Sequence, residues 1–179
     1  MILTDDADLA EKAKYLTKQA KDDKVRYIHD EIGFNFRLTN IQAALGVAQL
    51  EKLPDFLKRK KEINHQYVKL LEKIEGLTIA DVPEFAENNH WLNLLQIESE
   101  IYGVDREALM AQLGKSGIQT RPVWALNHLQ RPYQDCQNYK IERAEDLVEK
   151  SLCLPSSTSL NNTELKKLID HLRSPAKII

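Results

Sequence analysis

Residues 33–44 read Gly33-Phe34-Asn35-Phe36-Arg37-Leu38-Thr39-Asn40-Ile41-Gln42-Ala43-Ala44, and they join a polar turn to the start of a helix. Glycine adopts positive φ angles at no steric cost, so Gly33 suits a sharp turn. Thr39 and Gln42 have the spacing of a capping box, in which each side chain bonds the backbone N–H of the other. The spacing predicts a helix that begins at Asn40 with partial positive charge at its N-terminus.

Two polar side chains of this segment are expected to point the same way. Asn35 and Arg37 are two residues apart, so an extended backbone places both on one face. An amide donor and a guanidinium fork together suit a phosphate or a carboxylate group. The segment therefore predicts an anion site, and it fits equally an ordinary polar turn that carries a salt-bridged surface arginine.

The composition is that of an ordinary globular protein, with 179 residues, 42% hydrophobic residues and a net charge of −2. Because there is neither a basic surplus nor a recognisable motif, we expect no nucleic-acid partner. The absence of a signal peptide and of a long apolar run predicts a cytoplasmic chain without a membrane partner. Cys136 and Cys153 form no metal-binding pair, and the scattered histidines predict no metal site.

Apolar spacing predicts long helices first and a small sheet afterwards. One helix is expected after Thr4-Asp5-Asp6, one after Thr39, and another beginning at Pro54, because proline is tolerated in a first turn. The basic run 58–61 reads as the solvated face of that last helix. Strands are expected at 77–79, 91–97, 118–123 and 152–155, and helices at 105–113, 139–148 and from 162. The predicted fold class is α+β, with a mostly antiparallel sheet and helices on one face.

A second group of binding-type side chains lies between residues 121 and 133. Arg121 suits an anion, Trp124 and Tyr133 offer flat faces to a sugar or a base, and His128 offers a hydrogen bond. The same residues also fit a packing aromatic and a structural histidine. The group predicts a binding loop only when it is considered together with the segment at 33–44.

Three motifs in this order resemble the DegT/DnrJ/EryC1/StrS family of pyridoxal-phosphate-dependent, fold-type I aminotransferases, which act on nucleotide-linked keto sugars. Residues 1–6 are similar to the family's strand end GG-M-[IL]-[LV]-T-D-D, residues 33–44 to G-[YF]-N-[YF]-R-[ML]-[ST]-x-[IL]-Q-A-A, and residues 121–133 to R-P-x-[YW]…H-x-Q…Y. The resemblance implies three parts: a remnant of the large cofactor-binding domain at 1–38, connecting helices at 39–75, and a small C-terminal α+β domain at 76–179.

The resemblance also implies roles for single residues. Asn35 would contact the phosphate of pyridoxal 5'-phosphate across the interface of a homodimer, with Arg37 beside it. The later segment would line the sugar-nucleotide pocket through Arg121, Trp124, His128 and Tyr133. The intact enzyme would move an amino group, from glutamate as donor, to a keto carbon of a nucleotide sugar for surface polysaccharide or amino-sugar biosynthesis.

One departure from the family pattern concerns catalysis. The Schiff-base lysine of the family lies shortly before the strand end that residues 1–6 resemble, so it is expected upstream of Met1. Pyridoxal chemistry requires that lysine. We therefore expect the chain to be the C-terminal part of such an enzyme, which binds no cofactor and has no activity by itself. The alternative is a non-catalytic interaction or dimerisation module derived from the same family.

Overall fold

The computed structural model describes residues 2–23 and 25–174. The chain divides into two units, Met1–Lys52 and Leu53–Ile179. The boundaries expected after residues 38 and 75 stay a prediction.

The first unit begins with helix α1 (Ala7–Leu16). Asp6 caps it, since its carboxylate accepts a hydrogen bond from the N–H of Leu9 at 3.0 Å. Residues 2–3, which were expected to end a strand, have irregular backbone. None of the α1 side chains is buried, so this helix has no apolar core of its own in the unit.

Helix α2 (Asn40–Leu71) begins at the residue that the capping box predicts. Both reciprocal bonds are present: the N–H of Thr39 donates to Gln42 Oε1 at 2.8 Å, and the N–H of Gln42 donates to Thr39 Oγ1 at 3.3 Å. The prediction that a new helix begins at Pro54 is wrong, because α2 runs through that residue. Proline removes one backbone donor and crowds one carbonyl, which a 32-residue helix can tolerate.

The second unit contains an antiparallel four-stranded sheet in the order β1-β2-β4-β3. The strands are β1 (Leu77–Ile79), β2 (Asn93–Ile97), β3 (Arg121–Pro122) and β4 (Ser151–Leu154). The antiparallel sheet confirms the expected fold class. Strand β3 is shorter than the predicted 118–123, and it lies at the sheet edge, where a proline without an N–H is tolerated.

Within the described part of this unit, four helices accompany the sheet: α3 (Ser99–Tyr102), α4 (Arg106–Lys115), α5 (Glu142–Lys150) and α6 (Asn162–Arg173). Two 3-10 turns, Asn127–Leu129 and Arg131–Tyr133, lie between β3 and α5. A full capping box starts α6, where Asn161 and Glu164 exchange side-chain and backbone bonds at 2.9 Å each. Helix α5 begins later than the predicted residue 139.

The core of the second unit lies between the sheet and the helices α2, α4 and α6. Alternation places Leu95 of β2 and its partner Leu152 of β4 on the same face. The buried members of this core are Ile63, Tyr67, Leu71, Leu77, Leu95, Ile97, Tyr102, Val104, Leu109, Leu113, Leu152, Leu154, Leu165, Leu168, Ile169 and Leu172. Each fully buried leucine contributes about 1.5–3 kcal/mol to folding.

The basic run 58–61 differs from its prediction as a solvated face. Arg59 and Lys60 are half-buried, and they donate hydrogen bonds to the backbone carbonyls of Leu160 and Ser156. Burial lowers the pKa of Lys60. Two of the four cations therefore hold the chain around α6 instead of facing water.

Among the described residues, no helix combines the length and the apolar character that crossing a membrane requires.

Candidate functional site

The backbone around Asn35 is fixed by pairing with the chain that follows α1. Segment 34–36 lies antiparallel to segment 16–19, and Lys18 is the bridge partner of Asn35. Three bonds hold the pair: the N–H of Phe34 to the carbonyl of Leu16 at 2.7 Å, the N–H of Gln19 to the carbonyl of Phe34 at 3.0 Å, and the N–H of Phe36 to the carbonyl of Thr17 at 3.1 Å. The position of Asn35 is therefore set by backbone contacts on both of its sides.

Gly33 is required here for a reason that differs from the predicted one. Its φ angle is not positive, and the positive angles of this region belong to Gln19 (71°) and Ala20 (47°). A Cβ atom at Gly33 would lie 2.2 Å from the carbonyl carbon of Gln19 and 2.3 Å from the nitrogen of Ala20. The glycine therefore allows two backbone segments to approach each other.

The side chain of Asn35 is exposed, and its amide forms no hydrogen bond with any residue that the structure describes. Its neighbours Phe34 and Phe36 stack on each other with a centroid distance of 5.1 Å and an interplanar angle of 11°. Because side chains alternate along extended backbone, the two rings occupy the face opposite to Asn35. The amide is thus presented on a stiff backbone with its hydrogen-bonding capacity unused.

Arg37 lines a cavity of about 490 Å³ with three lysines, Lys14, Lys18 and Lys21. Tyr15 and Gln19 complete the lining, which contains no carboxylate among the residues described. The sequence alone did not indicate these lysines. Lys14, Lys18 and Lys21 lie close together in the sequence, whereas Arg37 joins them because segment 34–36 pairs with segment 16–19.

In the second unit, the candidate residues lie in two places. Arg121 is exposed on the edge strand β3, opposite Cys153. Trp124 is 64% exposed, and its ring lies 6.0 Å from that of Trp91, which is 63% exposed. Trp91 was not predicted as a site residue, and only the fold brings the two indoles together.

His128 and Tyr133 line one cavity of about 360 Å³ together with Cys136. The Nε2 atom of His128 lies 3.2 Å from Glu145 Oε1, and that imidazole is largely covered. Arg121 and Trp124 are not among the residues that line this cavity. The structure thus brings together two of the four predicted substrate residues, and Glu145 is a partner that the sequence did not reveal.

In the part of the chain that the structure describes, no group of three or more His, Cys, Asp or Glu side chains is placed to hold a metal ion.

Comparison with known proteins gives one consistent result. The sequence model for the DegT/DnrJ/EryC1/StrS aminotransferase family matches residues 1–173. EpsN of Bacillus subtilis (strain 168), whose name assigns it to the pyridoxal phosphate-dependent aminotransferases, is 32% identical over 96% of this chain and 45% of its own length. GDP-perosamine synthase of Caulobacter vibrioides is 31% identical over 94% of this chain and 46% of its own length.

A solved structure supports the same relation. The crystal structure of DesI, determined in the presence of its TDP-sugar product, superposes with a TM-score of 0.74 at 26% identity. The match covers 96% of this chain and 43% of DesI. The chain therefore spans about half the length of the relatives that it matches.

Proposed function

The chain belongs to the DegT/DnrJ/EryC1/StrS aminotransferase family, and we propose that it serves in a pyridoxal-phosphate-dependent enzyme that aminates a keto carbon of a nucleotide-linked sugar. Glutamate is the proposed amino donor, and surface polysaccharide or amino-sugar biosynthesis is the proposed setting. The names of the perosamine synthase and of DesI with its TDP-sugar product support this substrate class. The cytoplasm, where Cys136 and Cys153 stay free thiols, is the proposed compartment.

The observation that carries the proposal is the unused amide of Asn35 on a fixed backbone. A side-chain N–H that is free of internal partners and held in place suits an oxygen of the cofactor phosphate. When bound, pyridoxal phosphate supplies the electron sink that amino transfer requires. Asn35 would hold the phosphate of the cofactor bound by the other subunit of a homodimer, and Arg37 is the weaker candidate beside it.

The substrate residues are proposed for the second unit. The carboxylate of Glu145 orients the imidazole of His128 at 3.2 Å, and His128 then presents its remaining nitrogen to a sugar hydroxyl. Tyr133 lines the same cavity. Arg121, on the edge strand of the sheet, would contact an anionic group of the substrate. Trp124, just after that strand, would offer its flat face to a sugar or a base.

We further propose that the Schiff-base lysine expected from the family is not one of the lysines of these 179 residues, so that they do not catalyse the reaction alone. The proposed division has three parts: residues 1–38 complete the large domain, residues 39–75 connect the two domains, and residues 76–179 form the small domain.

The test combines the purified chain with the N-terminal half of a full-length relative. The mixture receives pyridoxal phosphate, ¹⁵N-glutamate and a panel of nucleotide-linked keto sugars, and mass spectrometry follows ¹⁵N in the sugar.

The expected result is ¹⁵N transfer by the mixture and none by either part alone. Asn35→Ala should lower the rate by about ten- to a hundredfold, which is the worth of one charge-assisted hydrogen bond. Asn162→Ala, at the exposed first residue of α6, is the matched control and should stay near the unsubstituted rate. Stable association of the two parts without any transfer would count against the proposal.

The second candidate is a dimerisation module without catalysis, and the exposed apolar stripe at the start of α2 favours it. Ile41 is 84% exposed and Leu45 is 63% exposed, with Ala44 and Ala48 on the same stripe. Phe56, farther along α2, is half-buried and does not extend this stripe. Contiguous exposed apolar surface favours association, and small residues allow two helices to approach closely.

Sedimentation equilibrium distinguishes a dimerisation module from a fragment that stays monomeric, because it measures the mass of the species in solution. The chain should associate reversibly with a second copy, and Leu45→Glu should weaken that association by about tenfold or more, because it places a charge in an apolar interface. Ile101→Glu replaces a residue of similar exposure in the second unit and should leave the association unchanged. A strict monomer at high concentration would exclude the dimerisation module.

A further inference from the structure

The two tryptophans of the chain, Trp91 and Trp124, form one exposed aromatic surface on the second unit. Their ring planes are inclined to each other by 37°, and each residue keeps most of its surface open to solvent. A single exposed apolar side chain is ordinary, but two neighbouring indoles make a continuous apolar surface. Neither indole lines the cavity of His128 and Tyr133, so this surface is a separate place for a ligand.

The backbone of Trp91 is held on both sides of its ring. Its N–H donates to Asn89 Oδ1 at 2.9 Å, and its carbonyl accepts from Ser156 Oγ at 2.6 Å and from Lys60 Nζ at 3.3 Å. Lys60 also donates to the carbonyl of Ser156, which ties both donors to one place. A ring on a fixed backbone loses less freedom when a ligand covers it, so these contacts prepare Trp91 for binding.

The residue before Trp91 adopts a costly backbone conformation. His90 has a φ angle of 50°, in the left-handed region that side chains other than glycine rarely adopt. Its N–H is held by Asn88 Oδ1 at 2.8 Å. Residues in such conformations persist where surrounding contacts hold them, and they cluster at binding sites. The turn at residues 88–91 thus accepts backbone strain while it presents an indole to solvent.

We propose that Trp91 and Trp124 together bind an uncharged pyranose ring. The face of an indole is electron-rich, so it attracts the polarised C–H groups of a sugar ring. The side-chain N–H groups of Asn88 and Asn89 make no hydrogen bond to any residue that the structure describes, and they suit sugar hydroxyls. Lys60, the cation bonded to this turn, is committed to backbone carbonyls, which favours a ligand without charge.

The angle between the rings favours a sugar over a nucleotide base. A flat base can lie parallel to only one of two rings that are inclined by 37°, whereas a pyranose carries C–H groups on its face and at its edge. The proposal adds Trp91 to the role proposed above for Trp124. The statement that the pyranose is the sugar of the enzyme's substrate rests on the proposed function.

Saturation-transfer NMR of the full chain with methyl β-D-glucopyranoside tests the site, because this neutral glycoside has axial C–H groups on both faces. We expect its ring protons to receive saturation, with weak, millimolar affinity. Tryptophan emission should change to saturation in parallel, and it reports on this surface alone because the chain has no further tryptophan. D-sorbitol, an open-chain polyol without a rigid C–H face, should give neither response, and guanosine should bind more weakly than the glycoside.

Trp91→Leu and Trp124→Leu should each weaken glycoside binding by about fivefold or more, because each removes one of the two faces. Tyr139→Leu, the control, removes an exposed aromatic ring from another loop of the same unit and should change the affinity by less than about twofold.

Four results would overturn the proposal: equal losses in all three variants, equal binding of sorbitol, tighter binding of guanosine, or emission that responds to protein concentration and not to the glycoside. The last result would assign the surface to a second copy of the chain. Because the glycoside contains neither a phosphate nor a keto group, its binding is independent of whether the complete enzyme transfers an amino group.

Discussion

Gly33 and Gly46 are matched positions for testing the contact that fixes Asn35. A Cβ atom at Gly33 would meet backbone atoms of Gln19 and Ala20 at 2.2 and 2.3 Å, whereas one at Gly46 would meet nothing within 4 Å. Gly33→Ala should therefore separate segments 16–19 and 34–36, at a cost of about 1–3 kcal/mol. Gly46→Ala should stabilise α2 by about 0.5–1 kcal/mol, because alanine favours a helix.

Amide hydrogen exchange, measured at Gln19 and Phe36, reports the pairing directly. Both N–H groups donate across the two segments, so their exchange should accelerate in Gly33→Ala and stay unchanged in Gly46→Ala. Equal exchange in the two variants would show that the close approach at Gly33 does not hold the pair together.

The capping box and the polar side chain of Asn35 could be recognised from neighbouring residues in the sequence. The role of Gly33 could not, because it depends on a contact with a distant part of the chain. A capping box depends on two residues three apart, so the start of α2 at Asn40 follows from the sequence. The need for Gly33 arises from the backbone of Gln19, fourteen residues earlier, and no local pattern contains that contact. For the same reason the cavity of Lys14, Lys18 and Lys21 was missed, since Arg37 reaches it from a separate segment of the chain.

The carboxylates of Asp22 and Asp23, in the chain that follows α1, should give a local response to acid. A hydrogen bond from the N–H of Asp30, followed by the hydroxyl of Tyr15, lowers the pKa of Asp22 below its ordinary value of 3.8. Backbone bonds from Arg26 and Val25 do the same to the pKa of Asp23. A lowered native pKa means that the stabilisation is fully present above pH 3.8 and is lost as the pH falls through the native value.

The side-chain carboxyl ¹³C shift of Asp22 measures this effect. Its midpoint should lie below pH 3.8, and Asp22→Asn should remove the signal. The Asp22 bond also raises the pKa of Tyr15 to about 12, so the phenol keeps its proton throughout. A midpoint above 3.8 for the Asp22 carboxyl would contradict the bond that it accepts from the N–H of Asp30.

At the scale of elements, Pro54 tests whether α2 is one helix. If α2 is continuous, Pro54→Ala restores a backbone donor and removes a clash, and it should raise the free energy of unfolding by up to about 3 kcal/mol. If a new helix began at Pro54, its N–H would lack a partner anyway, and the change would be close to neutral. Urea denaturation with a linear extrapolation distinguishes the two results.

Pro132 provides the matched substitution for that measurement. It lies in the exposed 3-10 turn Arg131–Tyr133, where Pro132→Ala mainly gives the unfolded chain more freedom. That variant should lose about 0.4–1 kcal/mol of stability. A Pro54→Ala variant that is neutral, or that loses stability as Pro132→Ala does, would show that the helix is interrupted at Pro54.

The strands show where sequence patterns succeed at the scale of elements. Strand β4 has four buried residues in a row and was predicted within one residue of its bounds, because a short apolar run with a following proline is distinctive. Strand β3 was predicted with six residues and has two. It pairs with only Leu152 and Cys153 of the four β4 residues, so its length is set by where the chain leaves the sheet, which a local sequence pattern does not contain.

At the scale of the whole molecule, the two units differ in how much apolar surface they bury. The second unit has a continuous core, whereas in the first unit only Ala20 is a fully buried apolar residue among those described. Ile41 and Leu45 are exposed although their helical spacing predicts a buried stripe. The spacing of apolar residues identifies the helix face that is stable when buried, but it does not identify the molecule that buries it.

Treatment with pyridoxal phosphate and borohydride tests whether these residues form a cofactor site by themselves. Lys60 is the lysine to watch, because burial lowers its pKa and a lower pKa leaves more neutral amine to attack an aldehyde. Its Nζ atom is nevertheless committed to the carbonyls of Trp91 and Ser156 and to the Ser156 hydroxyl at 3.2 Å. Reaction at Lys60 would require these bonds to break.

We therefore expect the reduced pyridoxyl label to spread over exposed lysines without saturation, as peptide mapping would show. Lys60→Gln should leave the total label nearly unchanged, because a lysine bonded to three acceptors contributes little of it. A saturable label on one lysine would mean the opposite: the chain holds the cofactor in a defined geometry with its own residues. The proposal that the Schiff-base lysine lies outside these 179 residues would then be wrong.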